Sequence, residues 1–427
     1  MSFALRLAPA LIAALILAVG PAHAKPRAGK AGASAPKAAK AAEATGTLML
    51  VESWPVETTL DHPGIPDASD VWVALFDGAK SSVDLGEFYV ATEPGSRLEL
   101  VLAALTRAAD RGVKVRLAAD AKFAKTYPET LASLDAHAQI EVRKLDLEPS
   151  TGGVLHAKYF IVDGRVAYVG SQNFDWRSLS HVQELGFTVD EPRVVDVYER
   201  VFAIDWAVAG GASVVDALAA APVVDPLVEG ASVNVGVGTA LVTPVASPTG
   251  LLGDERLWDL PYLLGAIGGA RTRIRLQALS YERVGYDKIE WTALDEALRA
   301  AAGRGVAVEL IVADWSKSGD KLKSVQGLMG VPGITVKFAS IPEASTGFVS
   351  FARVVHSKYI TVDGAWSWIG TSNLSRDYFY GSRNVGIVTR GAPLATQLDA
   401  YFDTLWTSSY VEVVDPLRAD YSPPRRK

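Results

Sequence analysis

The sequence predicts an α/β protein built as two homologous halves, each with a mixed sheet. Three observations lead there: helix and strand patterns alternate along the body, one helix-to-strand passage recurs 193 positions later, and one polar motif recurs 200 positions later. The chain has 427 residues, 49% apolar and 21% charged. That is enough apolar material for a full core and argues against disorder over most of the length.

The first 24 residues read as a secretory leader. Arg6 precedes an apolar run of 13 residues, Leu7 to Val19, and Ala22-His23-Ala24 supplies a small-x-small cleavage site. Pro9 breaks the run, which is shorter than the roughly 20 apolar residues of a membrane span. Export to the periplasm or medium after cleavage near Ala24 is therefore expected. Residues 25–45, rich in Ala, Lys and Gly without a hydrophobic period, read as a flexible tether. The first half is assigned to 46–225, a linker containing Pro, Val and Gly to 226–238, the second half to 239–420 and a basic tail to 421–427.

Within the halves, Ala108-Ala109-Asp110-Arg111-Gly112-Val113-Lys114-Val115 reads as a helix end running into a strand. Ala301-Ala302-Gly303-Arg304-Gly305-Val306-Ala307-Val308 repeats it. Glycine is the usual stop of such a helix. Upstream, Gly78-Ala79-Lys80 precedes a strand-like stretch from Val83 to Val90. Gly269-Ala270-Arg271 likewise precedes one from Ile274 to Leu279. An internal duplication of this kind is read before any single motif, because it sets the architecture.

The formal charge is −6. Arg6 in the leader and a net +4 in the tether leave −11 for the body. An acidic body opposes strong sequence-independent binding to duplex DNA, which depends on neutralising phosphates, but it is compatible with a local basic cleft. There is no cysteine, so disulfide scaffolds and thiolate metal sites are excluded. No cofactor or metal is expected.

The chemistry sits in the repeated motif. His156-Ala157-Lys158 leads to Asp163-Gly164 and then Gly170-Ser171-Gln172-Asn173. His356-Ser357-Lys358 leads to Asp363-Gly364 and Gly370-Thr371-Ser372-Asn373. The runs Tyr159-Phe160-Ile161-Val162 and Tyr359-Ile360-Thr361-Val362 read as buried strands. On a strand, His and Lys at i and i+2 project together. Asp-Gly turns the chain, and the return strand brings the Asn back beside them. Two lysines and two asparagines suit the oxygens of a phosphoryl group. One neutral imidazole can attack phosphorus while the other, protonated, hands a proton to the leaving oxygen. Asp163 and Asp363 are equally well explained as turn residues. His62, His137 and His181 have no counterpart in the other half and read as satisfied local histidines.

The duplicated pattern H-x-K-x4-D-x6-G-[ST]-x-N resembles the signature of the phospholipase D superfamily, and the likeness extends over residues 47–415. Leu50-Val51-Glu52-Ser53-Trp54-Pro55, Asn173-Phe174-Asp175-Trp176-Arg177-Ser178-Leu179 and Phe351-Ala352-Arg353-Val354-Val355-His356 are similar to segments of the lysosomal phospholipase-D-like 5′ exonucleases and their poxviral relatives. The lysosomal relatives are disulfide-bonded, whereas this chain has no cysteine. The resemblance implies two α/β halves around one site at a pseudo-twofold interface, a phosphohistidine intermediate and no metal. It also implies that a group 28 residues after each motif His orients an imidazole. Glu184 and Asn384 hold those places, so the halves are not equivalent. Analogy with two-motif members favours His156 as nucleophile. The site set is thus His156, Lys158, His356, Lys358, Asn173, Asn373 and Glu184, supported by Asp163, Asp363, Ser171, Ser372 and Asn384.

Expected activities are hydrolysis of single-stranded nucleic acid, or alternatively a phospholipase D or phosphatidyl transferase reaction on phospholipid head groups. A third reading, an inactive binding protein on this fold, is weakened because both motifs are intact. Trp54, Tyr89, Trp176, Trp315, Arg353 and Tyr378 are candidate base-stacking groups, and Ser345–Phe351 is a candidate apolar rim for lipid. No obligate protein partner is implied, and a monomer or a homodimer would serve.

Overall fold

The structure, a computed structural model, describes residues 44–427. The leader and nearly all of the tether lie outside the described residues. Ala42–Lys427 cluster as one compact unit, so the halves are fused rather than strung on a linker.

The first half contributes β1 (Gly46–Ser53), β2 (Ser82–Glu87), β3 (Lys114–Asp120), β4 (Ile140–Leu145), β5 (Lys158–Val162), β6 (Val166–Gly170) and β7 (Val182–Val189). They pair in the order β4-β3-β2-β5-β6-β7-β1. The two pairings among β2, β3 and β4 are parallel and the rest antiparallel. The second half contributes β8 (Thr239–Ser247), β9 (Arg273–Ala278), β10 (Ala307–Ala313), β11 (Ile334–Ala339), β12 (Tyr359–Val362), β13 (Trp366–Gly370) and β14 (Asn384–Arg390). Its order, β11-β10-β9-β12-β13-β14-β8, repeats the first strand for strand with the same directions. The segment expected as a linker contains a strand of its own. Ala231–Asn234 pairs with β8 on one side and with Gly46–Thr47 of β1 on the other, joining the sheet edges.

Period-two alternation explains the layers. Tyr159 and Ile161 of β5 enter a core shared by both halves, while Phe160 and Val162 face outward. On the outside, helices Ala68–Gly78 and Arg97–Asp110 cover the first sheet through Trp72, Phe76, Leu98 and Leu105. Helices Asp259–Gly269 and Ala293–Gly303 cover the second through Leu263, Ile267, Leu294 and Leu298. Two longer helices, Pro192–Ala209 and Ala392–Trp406, pack into the shared core. Proline in the first turn suits both, because the N–H it lacks has no intrahelical acceptor there. The shared core carries Tyr359, Leu185 and Ile387 together with residues of both helices. It therefore fixes the position of one half against the other.

Candidate active site

Both motifs approach the seam between the halves. His156 precedes β5 by two residues and His356 precedes β12 by three. Short strand Val354–Val355 pairs with Val182–Gln183 at the start of β7 in the opposite half, so the approach to the second motif is fixed to the first half's sheet. The His156 backbone N–H in turn donates to the Arg383 carbonyl (2.9 Å).

Each imidazole is held by the other half. His356 Nδ1 lies 2.8 Å from Glu184 Oε2, and His156 Nδ1 lies 3.0 Å from Asn384 Oδ1. The Asn384 amide is oriented by its neighbours. Its Nδ2 donates to the carbonyls of Tyr378 (2.9 Å) and Ser382 (3.2 Å), and its Oδ1 accepts from Thr371 Oγ (2.8 Å). That leaves Oδ1 to accept the His156 Nδ1–H and points the Nε2 lone pair away from it. Phe88 and Tyr378 meet the His156 ring edge to face, at 5.0 and 4.8 Å between centroids. Each motif Lys donates to the carbonyl of its own His.

The two histidines, the two lysines, Glu184 and Asn384 are buried, and burial dominates the ionisation of the titratable ones. It holds both imidazoles well below their ordinary value, and the two lysines add to the effect. Lys158 is brought down to about 7, against the opposing pull of Glu184, Glu87 and Asp120. Lys358 is also pushed down, by burial, with repulsion from Lys158 adding to it. Glu184 is pushed up to about 7 by burial, offset in part by Lys358 and by the Ser171 and Ser178 hydroxyls. A phosphodiester anion placed between the lysines would favour their charged forms, so anion binding and lysine protonation are coupled here. Glu87, whose Oε2 is buried without a hydrogen-bond partner, also faces Lys158. Unpaired buried polar atoms cost stability.

The structure separates the expected supporting residues. Asp163 and Asp363 stand at the far ends of β5 and β12, in turns where the Asp has φ of 55° and 53° and the following Gly 61° and 62°. Their carboxylates accept the backbone N–H groups of Lys80, Ser81 and Ser82, and of Arg271, Thr272 and Arg273. They fasten the hairpin to the start of β2 or β9 and take no part in the cleft. Ser171 and Thr371 hold equivalent places, accepting the Leu185 and Val385 N–H. Ser372 lies instead against buried Asp259, whose carboxyl burial raises to about 8. Of the histidines set aside, His62 is paired with buried Glu52 (2.8 Å) and His137 with Asp110 (3.0 Å).

Several cleft residues escaped the sequence reading. The strand expected to reach Val90 stops at Glu87, and Phe88 begins an aromatic wall. It packs on Phe123 at 4.0 Å. Tyr89 stacks on Phe123 at 6.1 Å and on Tyr127 at 5.1 Å. The Arg177 guanidinium closes the wall over Tyr127, tied to Asp175. Glu87 is the cross-strand neighbour of Lys158. Thr371 was legible as the copy of Ser171 at the 200-residue offset. The wall was not, because its members come from separate loops. Among the candidate stacking groups, Tyr89 and Tyr378 line the cleft. Arg353 does not: it is buried and donates to the Pro342 and Val56 carbonyls.

A duplicated α/β scaffold that brings one H-x-K motif from each half to a shared seam defines a two-motif protein of the phospholipase D type. The family described as "Cardiolipin synthase, PLD-like domain" matches twice, over residues 73–206 and 263–406. The chain is 30% identical to the Mus musculus protein named 5'-3' exonuclease PLD4, over 86% of this chain and 80% of that one. It is 31% identical to 5'-3' exonuclease PLD3 of Homo sapiens, with the same two shares. Phospholipase D Z of Dictyostelium discoideum is 29% identical, over 86% of this chain and 90% of that one. In fold, the chain is similar to phosphatidylserine synthase of Haemophilus influenzae Rd KW20. The TM-score is 0.57, with 10% identity over 81% of this chain and 85% of that one. The chain belongs to the phospholipase D superfamily.

Proposed function

We propose that this protein is a phosphodiester hydrolase that degrades single-stranded nucleic acid from its 5′ end. The relatives named 5'-3' exonucleases support the substrate class. The observation that carries it is the aromatic wall Phe88–Phe123–Tyr89–Tyr127, which starts at the His156 ring and ends at Arg177. Half-buried rings in register with a reacting phosphate are what stacked bases require, and a base of any sequence can use them. Export through the leader, and action as a monomer or homodimer, belong to the same reading.

In the reaction, His156 Nε2 attacks phosphorus while His356 delivers a proton to the departing oxygen, so one N–P bond forms and one P–O bond breaks. Water then attacks the phosphohistidine with His356 as base, and the N–P bond breaks. The two imidazoles divide these roles by their partners. Asn384 Oδ1 accepts the His156 Nδ1–H and leaves its Nε2 lone pair free, whereas Glu184 pairs with His356 Nδ1 and, once ionised beside a bound phosphodiester, offsets the burial that holds that imidazole down. Lys158, Lys358, Asn173 and Asn373 hold the non-bridging oxygens, and the positive charge of the lysines allows the reaction to run without a metal.

The test uses a 3′-labelled, 5′-hydroxyl single-stranded oligonucleotide in excess EDTA, beside phosphatidylcholine vesicles. The expected result is stepwise loss from the 5′ end, abolished by His156→Ala and by His356→Ala. An aryl phosphodiester, whose leaving group needs no proton, should restore the first step in His356→Ala but not in His156→Ala. Choline release without oligonucleotide loss would make the protein a lipase of the kind named Phospholipase D Z. Arrest by EDTA would exclude the metal-free mechanism.

A further inference from the structure

The C-terminal segment, beyond the second half, is held against β11 and the segment that leads into the second motif. The strand Val411–Val413 pairs with β11, and Tyr421 packs edge to face on Phe338 at 5.2 Å. Tyr421 Oη accepts the Asp415 N–H (2.8 Å), and Gln326 Nε2 donates to the Asp415 and Arg418 carbonyls. Pro423 and Pro424 have fixed φ and limit the freedom of the last three residues. Arg425, Arg426 and Lys427, three consecutive exposed cations, then lie along the segment leading into the second motif. The Phe351 N–H donates to the Arg426 carbonyl (2.9 Å). The Arg425 guanidinium sits 3.9 Å from the Phe348 ring centroid, Arg426 5.5 Å from Trp315, and Lys427 5.7 Å from Phe351.

This placement meets the aromatic wall. Arg177, which closes the wall over Tyr127, reaches the Ser350 carbonyl with Nη1 at 3.5 Å, one residue before Phe351. Beyond Trp315 the path opens into a cavity of about 280 Å³ lined in part by Tyr286, Lys288, Lys321 and Arg426. The two acids there are engaged. Glu282 accepts from Ser280 and pairs with Lys321 at 3.3 Å, and Asp320 pairs with Lys323 at 3.4 Å. A guanidinium over a ring keeps its N–H groups at its edge, where they can meet phosphate oxygens; the Arg425 Nε already donates to the Lys427 carbonyl (2.9 Å), which leaves its two Nη groups for that role. On a body of net negative charge, three cations on aromatic supports, of which Phe351 lies one residue beyond the Ser350 carbonyl that Arg177 reaches, continue the aromatic wall as a local track for a polyanion. The segment Ser345–Phe351, considered from sequence as a lipid rim, thus has the rings of Phe348 and Phe351 faced by cations.

We propose that Arg425, Arg426 and Lys427, seated on Phe348, Trp315 and Phe351, bind the backbone phosphates of the single strand where it extends beyond the bond being cut. The proposal rests on the nuclease reading and adds to it a second, non-reacting site. That site makes affinity depend on strand length and on salt, while the histidines act only on the phosphate between them.

The test compares the unchanged protein with Arg425→Gln/Arg426→Gln/Lys427→Gln, on a 20-nucleotide single strand and on a dinucleotide, across a salt series. Each phosphate contact on a single strand contributes about 0.7 to the slope of log affinity against log salt. Loss of three contacts should make the slope for the long strand shallower by about 2, and should lower the preference for the long strand over the dinucleotide. Arg425→Lys/Arg426→Lys keeps the charges and should keep the slope, which a merely structural tail would not require. An unchanged slope and length preference in the glutamine variant would overturn the track. So would faster cleavage of the long strand, because the segment would then be a plug. If the unchanged protein cut neither nucleic acid, the nuclease reading itself would fail and the track with it.

Discussion

At the residue scale, the site is asymmetric in one pair of positions. Glu184 and Asn384 occupy equivalent places on β7 and β14, yet one presents a carboxylate and the other an amide to the opposite imidazole. The carboxylate has a measurable signature. Burial raises Glu184 from its ordinary 4.5 to about 7, so the folded protein holds a proton that the unfolded chain releases. Its contribution to stability is full below about pH 4.5 and is lost as pH rises through about 7. Glu184→Gln should therefore stabilise the protein relative to wild type at pH 8 more than at pH 4, by up to about 3 kcal/mol. Denaturant midpoints at the two pH values measure this, and equal differences at both would refute the burial argument. The same variant should lower turnover with substrates whose leaving oxygen needs a proton.

At the element scale, the unit of construction is a hairpin carrying chemistry at one end and a fastening at the other. The motif Asp belongs to the fastening, accepting three backbone N–H groups in each half. Those bonds hold Asp363 down at about 2. The stability they contribute is present above the ordinary carboxylate value of 3.8 and is lost as pH falls through about 2. Asp363→Asn tolerates the left-handed backbone but weakens the charge-assisted bonds. It should cost about 1–3 kcal/mol in a urea titration while leaving the aryl phosphodiester reaction intact. A large drop in turnover without loss of stability would move Asp363 back into the site. The glycine closing each return strand is also structural. A Cβ at Gly370 would collide with the Trp368 ring, and one at Gly170 with the Tyr168 hydroxyl and Gln172.

At the scale of the whole molecule, the two halves are held by groups that neither could satisfy alone. Arg383, fully buried in the second half, donates to Asp205 of the helix Pro192–Ala209 and to the Ser247 and Leu251 carbonyls. Removing one member of such a pair strands a buried charge. Arg383→Leu should cost about 3–5 kcal/mol, and adding Asp205→Leu should recover much of it. Equilibrium unfolding of the single and double variants decides the point. Because Arg383 precedes Asn384 and its carbonyl accepts the His156 N–H, the single variant should also lose activity at temperatures where it remains folded.

The duplication and the strand-turn-strand that carries each motif were legible in the amino-acid sequence, which also singled out the histidines, lysines and asparagines proposed for the site. These depend on local periodicity and on spacing within one element, where the polypeptide geometry is nearly invariant. The sequence also showed that positions 184 and 384 differ. That each serves the other half's imidazole, that the motif aspartates fasten the hairpins, and that Arg353 is consumed by backbone carbonyls became visible only in the folded chain. The same holds for Phe88, Phe123 and Tyr127, which come from loops with no shared period, and for the basic tail, which lies on rings more than 70 residues earlier in the chain. Contacts of that kind depend on how the two sheets pack against a common core, and that packing is a property of the whole chain rather than of any segment of it.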